Sequence, residues 1–169
     1  MNALLDASFT VTLICRLEST LEPSAIVTNP QHLPHITTIK VAFNDEPGLV
    51  EALISQDAVV ASIGRGGGLP TQRTIIDAAV RAGVRRFIPS EFGADTRNDA
   101  LIINVPLVRQ KRAILEHLQK VSAKTPSFKW TGISCAAFLD WVRNFLFPCS
   151  PKLRADKEPP GTRSGFFWT

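Results

Sequence analysis

Short apolar runs alternate along the chain with longer stretches in which apolar residues recur every three or four positions. Asn2 to Ala7 reads as the last turns of a helix, and Phe9 to Cys15 (FTVTLIC) as a β-branched run suited to a buried parallel strand. A polar, proline-containing stretch follows. The pattern then predicts a strand at Thr37 to Phe43, a helix at about Pro47 to Ser55 and a strand at Ala58 to Ile63, with Pro47 fitting a first helical turn. Beyond a glycine-rich loop (Gly64, Gly66, Gly67, Gly68), a helix from about Thr71 to Ala82 turns Ile75, Ile76, Ala79 and Val80 inward and stops at Gly83. A short strand at Arg86 to Pro89, a long amphipathic helix from about Val105 to Ser122, a strand from Lys129 to Cys135 and a short helical stretch at Leu139 to Phe145 complete the series. Regular alternation of strand and helix predicts an α/β fold with a parallel sheet and right-handed crossovers. After Phe147 the period fails, so residues 1–147 read as one domain and residues 148–169 as an irregular tail.

Composition changes this picture little. With 44% hydrophobic and 20% charged residues in 169, the chain falls in the globular range and can bury one sizeable core. Half of the net charge of +4 comes from the tail, so the basic balance is weak support for a nucleic-acid partner. Cys15, Cys135 and Cys149 are too far apart for a zinc ribbon and odd in number for a disulfide framework, which favours a reducing compartment. No run approaches the roughly 18 apolar residues of a membrane span. The acidic Asp6 near the start does not suit a signal peptide. A cytoplasmic protein is expected. His32 and His35 have metal-like spacing, but Pro34 lies between them and no third ligand is near, so they are read as loop residues.

One residue on the long helix breaks its pattern. At about 100° per residue, Leu107, Val108, Ile114, Leu115, Leu118 and Val121 form one apolar stripe with Lys111 near its middle, while Arg109, Arg112, Glu116 and Lys120 point elsewhere. A lysine placed so either packs its stem and reaches water with its ammonium, or loses hydration and shifts toward the range useful in general acid–base work.

The stretch Ile76 to Gly93, IDAAVRAGVRRFIPSEFG, closely resembles the helix, strand and loop of the NmrA-like and isoflavone-reductase-like family. The likeness extends back through LVEALISQDAVVASIG (Leu49 to Gly64) and forward to FLDW (Phe138 to Trp141), covering about residues 2–145. It implies a Rossmann-type, doubly wound parallel sheet, NADPH as cofactor, and hydride transfer to a small, aromatic or secondary-metabolite substrate. It also implies that Lys111, in VPLVRQKRAILEHL, handles the proton, although Arg109 and Gln110 replace the small or apolar residues usual before that lysine. The Tyr-x-x-x-Lys chemistry of other short-chain dehydrogenases is excluded, because the chain has no tyrosine. NmrA itself acts as a regulator, so a non-catalytic NAD(P) sensor is the second reading.

Further cofactor contacts follow from strand ends. Arg16 stands just past the Phe9 to Cys15 strand, where a Rossmann fold reads the adenosine ribose, and arginine there accommodates a 2′-phosphate. On position alone it is equally a solvated strand-end arginine. Ser62 and Gly64 close the strand beginning at Ala58, where ligands approach parallel sheets, although the glycine cluster lacks phosphate-loop spacing. By resemblance Ser90, Glu91 and Phe92 line the nicotinamide end. Without it, Phe92 is core and Glu91 caps or pairs. The family often has Gly at the position of Ala136 and Asp at that of Ala42, which weakens two cofactor-side contacts.

A dinucleotide fold opens with a strand and a glycine-rich turn that binds the pyrophosphate. Neither precedes Asn2. In the strand order 3-2-1-4-5-6 the missing strand is central, between those beginning near Phe9 and Ala58. The sequence therefore predicts an incomplete sheet, a chain truncated at its N-terminus and also short of a C-terminal substrate-covering region, and impaired NADPH binding.

Overall fold

The computed structural model describes residues 1–63 and 68–136. Gly64, with most of its glycine cluster, the FLDW motif, the helical stretch expected at Leu139 to Phe145 and the expected tail all lie outside them. Five helices and five strands alternate: α1 (Asn2–Asp6), β1 (Val11–Cys15), β2 (Ile36–Lys40), α2 (Glu46–Leu53), β3 (Ala58–Val60), α3 (Gly68–Arg81), β4 (Arg86–Ile88), α4 (Asp99–Asn104), α5 (Pro106–Lys124) and β5 (Lys129–Trp130). Every strand pairing is parallel, as the alternation predicts.

The strands fall into two sheets, β1-β2 and β3-β4-β5. Among the described residues, the break lies between β1 and β3, where the sequence places its gap. One core nevertheless spans both sheets. Val41 and Phe43, just past β2, cluster with Leu49 and Leu53 of α2, Ala61 and Ile63 past β3, Ile76 of α3, Phe87 of β4 and Leu118 of α5. Ile14 of β1 packs against the same cluster. Helix α2 packs on α3, and α3 on α5, so the crossover helices form a continuous layer.

Local chemistry sets the boundaries. Asp45 caps α2 by accepting from the Gly48 amide at 3.2 Å, and a Cβ on Gly48 would stand 2.5 Å from that carboxylate, so a larger residue there would push the cap aside. Gly83 ends α3 with φ +81°, in the left-handed region where helices stop. Several elements differ from expectation. Phe9 is 59% exposed and outside β1, because Ser8 at φ 64° turns the chain out of α1 and pairing starts only at Val11 with Ile36. Strand β2 starts one residue early and ends at Lys40, since the Asp45 amide bonds back to Ala42 and turns the chain into α2. Strand β5 stops at Trp130. Its last ladder bond runs from Thr131 to Phe87, after which the chain swings to Gly93, whose carbonyl accepts from Ser134 and Ala136.

Helix α4 and the 3-10 turns at Pro23–Ala25 and Pro30–His35 are not foreseen, being too short to show a period. His32 and His35 lie in the second of these turns rather than in a plain loop, and His32 sits 3.6 Å from Asp6 of α1. Among the described residues no helix is long and apolar enough to cross a membrane.

Candidate functional site

Parallel pairing brings the carboxyl ends of β3, β4 and β5 to one edge, and the chemistry collects there. Ser90 follows β4 and is tied from three sides. Its hydroxyl accepts from the Ile63 amide at 2.9 Å and donates to the Ile63 carbonyl at 3.0 Å, while its own amide donates to the Gln72 side chain at 2.7 Å. Ser90 thus clamps the ends of β3 and β4 together under α3, and its hydroxyl is already occupied by protein. Gln72 is fully buried, and its amide nitrogen has no hydrogen-bond partner among the described residues.

Glu91 comes next. Its amide bonds to the Pro89 carbonyl at 2.7 Å, a tight turn that folds the side chain inward, where the residue is only 3% exposed. One carboxyl oxygen accepts from the Thr96 hydroxyl at 2.7 Å; the other has no hydrogen-bond partner among the described residues. Burial holds this carboxyl above the ordinary carboxylate range, against the opposing pull of the Thr96 hydrogen bond and the Lys111 charge, with Asp95 adding slightly to the rise. Asp95 itself is held low by its hydrogen bonds from Arg97.

Helix α5 delivers Lys111 to this place. Val108, Ile114, Leu115 and Leu118 are buried along its inner face, as the wheel predicts, and Lys111 is half-buried among them. The Lys111 Nζ atom lies 3.7 Å from where a Cβ on Gly93 would stand. Arg112 does not simply point away, as the wheel suggests. It is half-buried, donating to the Thr96 carbonyl at 3.1 Å, because the loop after β4 folds back over the helix start.

Of the residues expected to meet a cofactor, the structure gathers Ser62, Ser90 and Phe92 with Lys111 around the β3 and β4 ends. Ser62 and Phe92 are half-buried. Arg16 stands past β1 on the other sheet, exposed and 3.5 Å from Glu18. Two polar residues of this neighbourhood escaped the sequence reading, Gln72 and Thr96. Gln72 had a signal: it lies three and four residues before Ile75 and Ile76 on the inward stripe of α3. Thr96 had none, since a loop has no period.

Ala136 bears on the same edge. Its φ is +57°, a conformation that favours glycine, and glycine is what the resembling family often places there.

The class defined by this architecture is a Rossmann-type α/β protein with its site at the strand carboxyl ends. The NmrA-like family model matches residues 1–162, and the chain belongs to that family. It is 38% identical over 145 residues to the oxidoreductase aprR of Aspergillus flavus, covering 83% of this chain and 44% of that protein. It is 36% identical over 144 residues to the oxidoreductase poxI of Penicillium oxalicum, covering 83% and 41%. The chain thus spans less than half the length of these curated relatives. Among solved structures, AtPrR2 with NADP+ and (+)-pinoresinol superposes with a TM-score of 0.67 at 23% identity, covering 85% of this chain and 47% of that one. The leucoanthocyanidin reductase–NADPH complex from Vitis vinifera gives 0.63 at 24%, covering 80% and 44%. These two likenesses are of fold.

Proposed function

We propose that this chain carries the cofactor half of an NADPH-dependent reductase of small organic, aromatic or secondary-metabolite substrates, with Lys111 as the proton-handling residue. The observation that carries the reading is Lys111 itself. A cation lies on the buried stripe of α5 and meets Gly93 at the carboxyl edge of β4, where parallel sheets bind ligands. The relatives named as oxidoreductases, and the solved relatives holding NADP+ or NADPH, support it.

The donor set fits a phosphorylated dinucleotide. Arg16 has an exposed guanidinium whose present partner, Glu18, is an exposed surface acid that a 2′-phosphate readily displaces. Ser62 and Phe92 border the path along the strand ends, Ser90 shapes it by holding Ile63 in place, and the family resemblance adds Gly64 as a further cofactor contact. When bound, NADPH supplies the hydride. Lys111 gives its proton to the substrate oxygen that gathers negative charge as the hydride reaches carbon.

With β1 and β3 in separate sheets, this chain by itself holds the cofactor weakly, so the test needs a method that reads weak binding. Saturation-transfer NMR should show NADPH preferred over NADH, and Arg16→Ala should erase the preference. Equal signals from both cofactors on the unaltered chain would defeat the 2′-phosphate assignment. In a full-length protein containing these residues, Lys111→Ala should lower kcat at least a hundredfold and leave NADPH affinity unchanged. A dinucleotide sensor would bind cofactor with no turnover for Lys111→Ala to remove.

A further inference from the structure

We propose that Glu91 is a positioning residue for Lys111, its buried carboxyl acting on the charge of the ammonium that borders Gly93 beside it. This rests on the reading of Lys111 as the proton-handling group, and adds a residue whose role there would otherwise be only to cap or pair.

The Glu91 carbonyl oxygen and the Lys111 Nζ each lie 3.7 Å from the Cβ position of Gly93, so both residues border the space that a side chain there would enter. Behind the carboxyl stands the exit of β5. The Cβ position of Gly132 is 3.7 Å from Glu91 Cγ, 3.5 Å from the Trp130 ring and 3.9 Å from Leu115 of α5. The side chain therefore lies beside Gly132, a residue whose surroundings also include Trp130 of β5 and Leu115 of α5. Its position is then fixed by a relay. Arg112 donates to the Thr96 carbonyl at 3.1 Å, and the Thr96 hydroxyl donates to Glu91 at 2.7 Å. Two consecutive residues of one helix thus bear on the same carboxyl, Arg112 pinning the loop that orients it and Lys111 acting on it through its charge.

A buried carboxyl with one unpartnered oxygen is costly unless something uses it. Lys111 is the cation whose charge acts on it. Asp95 opposes that charge from the same loop, and Arg97 and Arg112 surround Asp95. A carboxylate here favours the ammonium form of Lys111, offsetting the desolvation imposed by the apolar stripe. The pair thereby keeps a proton available at the site while the helix keeps water away.

The experiment is a titration of the lysine side-chain signals by NMR in the 169-residue chain, with Lys111→Ala assigning the resonance. Glu91→Gln should move the Lys111 midpoint down by about one pH unit, the effect of removing one nearby opposite charge. Glu91→Asp should restore part of it, and Thr96→Val should give a smaller shift in the same direction without touching any charge. An unmoved midpoint in both Glu91→Gln and Thr96→Val would overturn the proposal, and if Glu91→Gln does not fold, Thr96→Val alone decides. The titration needs neither cofactor nor turnover, so it separates this idea from the reductase reading. In an active full-length protein the alkaline limb of the kcat profile should move down by the same amount in Glu91→Gln, whereas a merely structural glutamate would change stability and leave the limb in place.

Discussion

Glu91 also makes a measurable statement about stability. Its carboxyl is raised above the ordinary value of 4.5, mainly by burial, so the folded chain holds that proton to higher pH than the unfolded chain does. The contribution of this group is therefore fully present below 4.5 and is lost as pH rises through the folded value. Comparing melting temperatures of the parent and Glu91→Gln across pH isolates it, because every other carboxylate is common to both. The variant should gain on the parent as pH rises from below 4.5 toward neutrality, and a difference independent of pH would contradict the assignment. The sequence made Glu91 visible as a residue after a strand that caps or pairs and, by the family resemblance, as one lining the nicotinamide end. That it is buried, bonded to Thr96 and close to Gly132 depends on segments apart in the chain, which no local pattern reports. Lys111 is the opposite case: a lone cation in an apolar stripe is a conflict visible on a helical wheel, and the fold places it half-buried where that conflict predicts.

At the scale of elements, long helices were legible almost to their ends, the short strands were legible in place but not in length, and α4 and the 3-10 turns were not. The inward residues of α5 follow from spacing alone, because each turn of a 19-residue helix repeats the same evidence. Leu118 is fully buried among α3, β4 and the α5 stripe, so Leu118→Ala should cost about 2–5 kcal/mol. Leu107, on the same stripe but half-buried near the helix start, should cost clearly less. Chemical denaturation of both variants checks the ranking, and equal losses would mean that the helix is not packed along its length as described. The strands show where spacing stops informing. Strands β3, β4 and β5 have three, three and two residues, and their ends are set by hydrogen bonds to partners in other segments. The Ala61 amide still reaches the Ile88 carbonyl after β3 has formally ended.

For the whole molecule, the division into two sheets governs what is protected. Leu13 and Cys15 point their backbone groups toward β2, as shown by the Val41 amide bonding to the Cys15 carbonyl, and the alternation of a parallel ladder turns those of Thr12 and Ile14 the other way. On β3 the bonds from Arg86 to Asp57 and from Ala61 to Ile88 leave the groups of Ala58 and Val60 facing the break in the same manner. Hydrogen exchange followed by NMR should therefore find the amides of Thr12, Ile14, Ala58 and Val60 faster than those of Leu13, Cys15, Val59 and Ala61. Slow exchange at all eight would show the edges closed. The residues of the core bridge the two sheets from one face, which is why a single cluster forms even though the ladders do not meet.

What the sequence by itself determined was the order and kind of the major elements, the family through Ile76 to Gly93, the inward stripes of α3 and α5, and the place of the break between β1 and β3. Each is written in local spacing or in a known order of strands. Only the tertiary structure decided that Ser90 spends its hydroxyl on Ile63, that Gln72 supports it from α3, that Ala136 occupies a backbone region suited to glycine, and that Glu91 and Lys111 both border Gly93. These relations join residues tens of positions apart through hydrogen bonds and charge, which are set by distance in space and leave no period along the chain.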